Sequence, residues 1–316
     1  MTGRDSAKNL ILHVPLPLCG VALAIASLGG LLKVLWTPAY PICGVTSFLL
    51  LLLVVCKGIL NPKGIRADLE NPVLAGVAGT FSMCVLVLST YVAPYFHGLG
   101  FGIWVFGVAA HLCLIANLIA GAFRKGWQDF LLPSCFVTLI GLVLACLTAS
   151  SYPVGGFLVV LFWIELAVTF ILLSIVTVRY MRAPVGQEAQ RPLLAIYAAP
   201  TNMCLACYLA LYPAPSGAFL DVLMVLSAAC YVFAFASMLR CLPLRFYPSY
   251  AALTFPFVIS TSATTMLASS AVALGMGAWV SALQCVAGIQ LAIATCITIY
   301  VLVRYLAFLV PLAKNA

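Results

Sequence analysis

Between Arg245 and Arg304 the chain runs for 58 residues without an Asp, Glu, Lys or Arg, and between Glu70 and Arg124 it does so for 53. Soluble domains carry about a quarter charged residues. This chain carries 7%, against 65% hydrophobic. Stretches so long and so bare of charge imply lipid as their solvent. One membrane-crossing helix takes about 20 apolar residues, so each stretch holds two helices and a short turn. Three further blocks are similar, each crossed by one charge: 9–56 by Lys33, 130–178 by Glu165 and 192–239 by Asp221. The five blocks predict ten helices, two to a block: one and two in 9–56, three and four in 71–123, five and six in 130–178, seven and eight in 192–239, nine and ten in 246–303. Breaker residues put the turns inside the blocks at 37–41, 94–102, 150–156, 212–217 and 275–277.

Charge placement sets orientation. Of the 15 Lys and Arg, only Lys33 lies inside a block. The rest flank the blocks, as the positive-inside rule expects of cytoplasmic segments. Both termini are therefore expected in the cytoplasm and the chain in the cell (inner or plasma) membrane. The blocks recur about every sixty residues, each opening with an early proline: Pro15 and Pro17, Pro72, Pro133, Pro192, Pro248. Proline suits a helix N-terminus, where its missing N–H would be unpaired anyway. Equal repeats of one topology are related by an axis along the membrane normal. The predicted fold is a single all-α transmembrane domain over 1–316, five helical hairpins in a quasi-fivefold ring.

The two helices of a hairpin differ in kind. Even helices are bulky and apolar all round, which suits lipid. Odd helices carry small and hydroxylated residues at helical spacing: Gly20, Ala24 and Ser27 in helix one, Ser134, Thr138, Gly141, Ala145 and Thr148 in helix five. Small residues also permit plain helix packing, but their recurrence in all the odd helices favours a common central pore, with the odd helices inner. Prolines are expected to kink this lining at Pro17, Pro72, Pro133, Pro200 and Pro256. Pro200 and Pro256 each follow the opening proline of their block by eight residues, and each removes one backbone hydrogen bond. Such backbone is tolerated at membrane depth beside protein or a water-filled cavity.

Helix nine carries the sharpest signal. Phe255 directly precedes Pro256, and Ser260, Thr261, Ser262, Thr264 and Thr265 follow. Phe255, Ser262 and Ser269 share one face. A phenyl ring at a kink can close a narrow pore, since apolar constrictions gate by dewetting; it can equally pack as an ordinary core aromatic. The expected lining is Gly20, Ser27, Ser134, Thr138, Thr201 and Ser262, with Phe255 as gate and no fixed charge at mid-depth. A neutral pore with basic cytoplasmic linkers favours anions.

Other chemistries find little support. The bases are scattered singly, so nucleic acid is not expected as a partner. Cys204 and Cys207 form a C-x-x-C inside an apolar helix, where a buried hydrophobic role fits better than redox. No metal ligand set, cofactor motif or catalytic constellation is evident. Glu165 in helix six reads either as a proton or coupling site or as a structural group, and His111 in helix four as a hydrogen-bonded core histidine. Lys33 is expected to snorkel.

The stretches VPLPLCGVALAIASLG, ENPVLAG, FLLPSCF, YAAPTNMCLACYLAL and LTFPFVISTSAT, which open or fill helices one, three, five, seven and nine, resemble the tellurite-resistance/dicarboxylate transporter family, which includes bacterial TehA and the plant guard-cell slow anion channels. The resemblance implies a homotrimer in the lipid bilayer, one pore per protomer lined by the odd helices, and anion conduction gated by the phenylalanine at Phe255. Proline follows that phenylalanine here as in the plant channels, where the TehA pattern has glycine. The expected activity is a channel for small monovalent inorganic anions such as chloride or nitrate. The alternative is a proton-coupled carrier or exporter of small organic or oxyanions: C4-dicarboxylate, sulfite or tellurite-related species.

Overall fold

The structure, a computed structural model, describes residues 3–183, 186–212, 215 and 217–314. Every regular element among them is helical. Eight helices are long and apolar enough to cross a membrane: helix two Ala39–Leu60, three Pro72–Val92, four His97–Lys125, six Gly155–Arg182, seven Glu188–Leu211, eight Gly217–Cys241, nine Pro248–Ser270 and ten Gly277–Pro311. Helix one, Leu18–Leu32, is apolar but shorter. Helix five is split into Cys135–Ile140 and Val143–Thr148. The chain is an all-helical, multi-pass membrane protein.

Some boundaries differ from the pattern-based ones. Helix four begins at His97, inside the stretch 94–102 expected to turn. Gly100 serves packing there: a Cβ on it would lie 2.8 Å from the Ala93 Cα. Helix two begins at Ala39, so the first turn covers 33–38 and overlaps the expected 37–41 only at its first two residues, with Pro41 within the helix. The turn expected at 212–217 includes 213, 214 and 216, which lie outside the described residues.

Helices three and five are interrupted, and the interruptions have side-chain repairs. Helix three breaks at Ala78, between Pro72–Val77 and Gly79–Val92. Thr138 of helix five fills the gap: its hydroxyl accepts from the Gly79 N–H at 2.9 Å and lies 3.0 and 2.8 Å from the carbonyls of Ala75 and Gly76. Helix five breaks at Gly141 and Leu142. Here His111 of helix four donates from Nε2 to the Thr138 carbonyl, 3.0 Å away, while its Nδ1 lies 2.7 Å from Ser82 Oγ. Backbone groups freed in lipid need such partners, and His111 is the satisfied core histidine its setting suggested. Gly141 has no room for a side chain, since a Cβ would meet the His111 ring and the Met83 sulfur, each at 2.7 Å.

Helices seven and nine share a different device. Each opens as a 3-10 helix, Glu188–Tyr197 and Pro248–Leu253, then continues as α-helix. Long 3-10 runs are uncommon and often mark a hinge or strain. The 3-10 segments pack on one another.

Burial separates the two sets. Within their most apolar windows, helices three, seven and nine are 72%, 89% and 72% buried, whereas the even helices are 22% to 39% buried. The even helices expose Phe48, Phe106, Ile164, Val225 and Ile289, the large apolar faces that lipid covers. Each odd helix packs against its even partner. Helix one also packs on three, three on five, five on seven, seven on nine, and nine on one. A linker helix, Pro62–Glu70, is tied to the end of helix two by the Lys57–Asp68 ion pair at 2.8 Å.

Candidate functional site

The 3-10 opening of helix nine ends at Thr254, whose φ of −108° and ψ of −80° belong to neither helix type. The α-helix restarts at Phe255, with Pro256 in the first turn, where its missing N–H costs no hydrogen bond. The break is held in place: Thr254 Oγ1 donates to the Ala251 carbonyl at 2.7 Å and lies 3.4 Å from the Gly20 carbonyl of helix one. The proline marks the site, but the change of direction falls at Thr254, one residue ahead of Phe255.

Phe255 is buried, with 5% of its surface exposed. It faces a small cavity of about 40 Å³. The wall takes residues from all five odd helices, among them Gly20, Thr80, Phe136, Pro200 and Phe255 itself, with none from an even helix and none charged. A water molecule needs roughly 10–15 Å³ of such space, so the cavity admits only a few waters. The surroundings are mostly hydrocarbon. Thr80 turns its hydroxyl to its own helix, on the Val77 carbonyl at 2.8 Å.

The predicted site residues divide by position. Pro17, Gly20, Pro200, Phe255 and Pro256 come together around the cavity. Pro17 caps the start of helix one, and Pro200 lies in the first turn of the α-helical part of helix seven. Pro72 opens helix three behind an Asn71 cap that accepts from the Val73 and Leu74 N–H groups, and Pro133 precedes helix five. Neither kinks a helix; the breaks fall at Ala78 and Gly141 instead. Ser134 and Thr138 lie in the seam between helices three and five, where a Cβ on Gly76 would come within 2.6 Å of Ser134 Oγ. Thr201 is buried beside Cys230 of helix eight.

The hydroxyl run of helix nine turns inward on itself. Ser260, Thr261, Ser262, Thr264 and Thr265 each donate to the carbonyl four residues back, at 2.7 to 3.1 Å. Among the described residues, Ser27, Ser134 and Thr201 have buried hydroxyl oxygens without a protein partner, but so do Ser227 and Thr298 of even helices, and the amide oxygen of Gln290 is in the same position. That property does not distinguish an inner wall.

Glu165 is 5% exposed, and its Oε2 has no hydrogen-bond partner among the described residues. It faces Cys204 and Cys207 of helix seven and contributes nothing to the cavity wall. Those two thiols are free and buried, as expected of core residues. Among the described residues no group of His, Cys, Asp and Glu is arranged to hold a metal ion. Sequence reading missed the contribution of Phe136 and Met83 to the cavity; only their recurrence opposite Phe255 in three dimensions singles them out.

No curated protein matches the chain. The family model for SLAC1, described as a voltage-dependent anion channel, matches residues 13–306, from the turn before helix one almost to the end of helix ten. The match spans all five odd helices and Phe255, and it carries with it the transport of anions across a membrane. The chain belongs to the SLAC1, voltage-dependent anion channel family.

Proposed function

We propose that this protein is an anion channel that passes small monovalent anions, of the chloride or nitrate kind, through a neutral pore closed at rest by Phe255. The observation that carries the reading is the cavity beside Phe255: every odd helix contributes to its wall, every even helix is excluded, and no charge lines it. The chain of contacts from helix one through three, five, seven and nine back to one supports a ring of five hairpins around that cavity, as one domain over 1–316 with repeats near 9–56, 71–123, 130–178, 192–239 and 246–303. An apolar constriction too small for a hydrated ion closes by excluding water. Rotation of one phenyl ring opens it without breaking a salt bridge. Anions are favoured by basic segments, expected on the cytoplasmic side with both termini, which concentrate them at that mouth. In this reading the protein sits in the cell membrane as a homotrimer with one pore per protomer.

One observation favours a second reading. Glu165 is a buried carboxyl group with an unpartnered oxygen against a pore helix, the kind of group a proton-coupled carrier of C4-dicarboxylate, sulfite or tellurite-related anions uses. Liposome flux separates the two. The channel reading expects chloride or nitrate efflux that needs no proton gradient. Uptake of malate or sulfite that stops when the gradient collapses contradicts it.

A further inference from the structure

Lys33 is the one basic residue inside the five blocks, and its surroundings give it a use. It caps the end of helix one, with its Nζ 5.4 Å from the centre of the Tyr40 ring. Among the described residues the only ion pairs are Lys57–Asp68 and Arg66–Glu70, so no carboxylate neutralises Lys33. Tyr40 is also the rim of an apolar groove of about 560 Å³ between helices two, three and four, lined by Phe48, Leu51, Leu88, Tyr91 and Phe106 among others. The groove runs along helix two from Tyr40 to Leu51, a rise of about 16 Å at 1.5 Å per residue. That is about half the ~30 Å hydrocarbon core, the depth of one leaflet.

The floor is built rather than incidental. Tyr40 and Tyr91 stack with centroids 3.9 Å apart and planes 6° from parallel. Tyr91 donates to the Ala26 carbonyl of helix one at 2.6 Å, and Tyr40 to the Thr90 carbonyl at 3.4 Å. Two glycines make room for the pair: a Cβ on Gly29 would lie 2.4 Å from the Tyr91 hydroxyl oxygen, and one on Gly44 would lie 2.5 Å from the Tyr91 ring.

We propose that this groove holds one acyl chain of an anionic phospholipid, from the leaflet on the side of the hairpin turns, with the lipid phosphate on Lys33. The charge selects the headgroup and the groove takes the chain. A basic residue at the membrane surface favours an anionic lipid by a factor of about five, and an ammonium held against a tyrosine face stays at that surface.

Native mass spectrometry of the delipidated full-length protein tests this, with phosphatidylglycerol, phosphatidylcholine and free glycerol phosphate as probes. The expected result is phosphatidylglycerol bound about fivefold more tightly than phosphatidylcholine, with glycerol phosphate alone not retained. Lys33→Gln is expected to bring phosphatidylglycerol down to the phosphatidylcholine level. Val45→Trp, which fills the groove from an exposed position, is expected to reduce both lipids. Phe48→Ala, also exposed, gives a second groove variant should the tryptophan hinder folding, and is expected to weaken both. Equal binding of the two lipids by the unaltered protein, undiminished preference in Lys33→Gln, retention of glycerol phosphate alone, or cross-links from position 48 to a second copy of the chain would overturn the proposal.

Discussion

The Thr138 hydroxyl accepts the backbone N–H of Gly79 at 2.9 Å, joining helix five to the point where helix three is interrupted. One side chain thereby supplies the acceptor that an unbroken helix would have provided from its own backbone. Thr138→Val keeps the shape and removes that acceptor. The expected cost is roughly 1–2 kcal/mol, the scale of polar contacts between membrane helices, read as a lower unfolding midpoint in detergent. Thr138→Ser should restore most of it.

His111 acts in the same way one layer over. Its Nε2 donates to the Thr138 carbonyl and its Nδ1 meets Ser82, so helices three, four and five are pinned through one ring. His111→Leu is expected to destabilise the protein by a similar amount while leaving anion selectivity unchanged, because the ring is not part of the cavity wall. Reversal potentials under asymmetric chloride and nitrate check the selectivity, and thermal unfolding checks the stability.

Two glycines should respond in opposite ways to alanine. A Cβ on Gly79 would lie 2.8 Å from the Thr138 Cα and 2.9 Å from the Val137 carbonyl, both backbone. Gly79→Ala must push two helices apart, at a cost of about 1–3 kcal/mol. A Cβ on Gly20 meets nothing closer than Ala251 Cβ at 3.4 Å, which is ordinary contact, but it adds a methyl beside a cavity of about 40 Å³. Gly20→Ala is expected to fold normally and to lower the conductance of an opened pore, as single-channel recording would show.

Glu165 lies off the cavity, so a channel has no need of its charge. Glu165→Gln is expected to leave anion flux, and the pH profile of that flux, close to those of the unaltered protein. Loss of transport together with loss of its pH dependence would move the carboxyl group into the transport cycle and favour the carrier reading.

Much of this architecture was legible in residue spacing. The charge-poor blocks give the membrane-crossing helices, and the contrast between small odd helices and bulky even ones matches their burial. The position of Phe255 at a break was visible from Pro256. The breaks at Ala78 and Gly141 were not, because they depend on Thr138 and His111 arriving from other helices to satisfy freed backbone groups. Prolines 72 and 133 misled for a related reason: near a helix start, a proline removes no intrahelical bond, so it marks a beginning and not a bend. Ser262 is expected in the pore lining from the face it shares with Phe255, but spacing does not say whether a serine donates into a lumen or, as here, to the carbonyl four residues back. In a helix in lipid the second partner is always within reach.

The central claim is that Phe255 closes an otherwise continuous pore. Planar-bilayer conductance of the purified protein, unaltered beside Phe255→Ala, in symmetric chloride and then nitrate, tests it most directly. The expected result is a small conductance for the unaltered protein and a many times larger, ohmic one for the variant, with no proton gradient applied. A correctly folded Phe255→Ala protein that conducts no more than the unaltered one would contradict the claim.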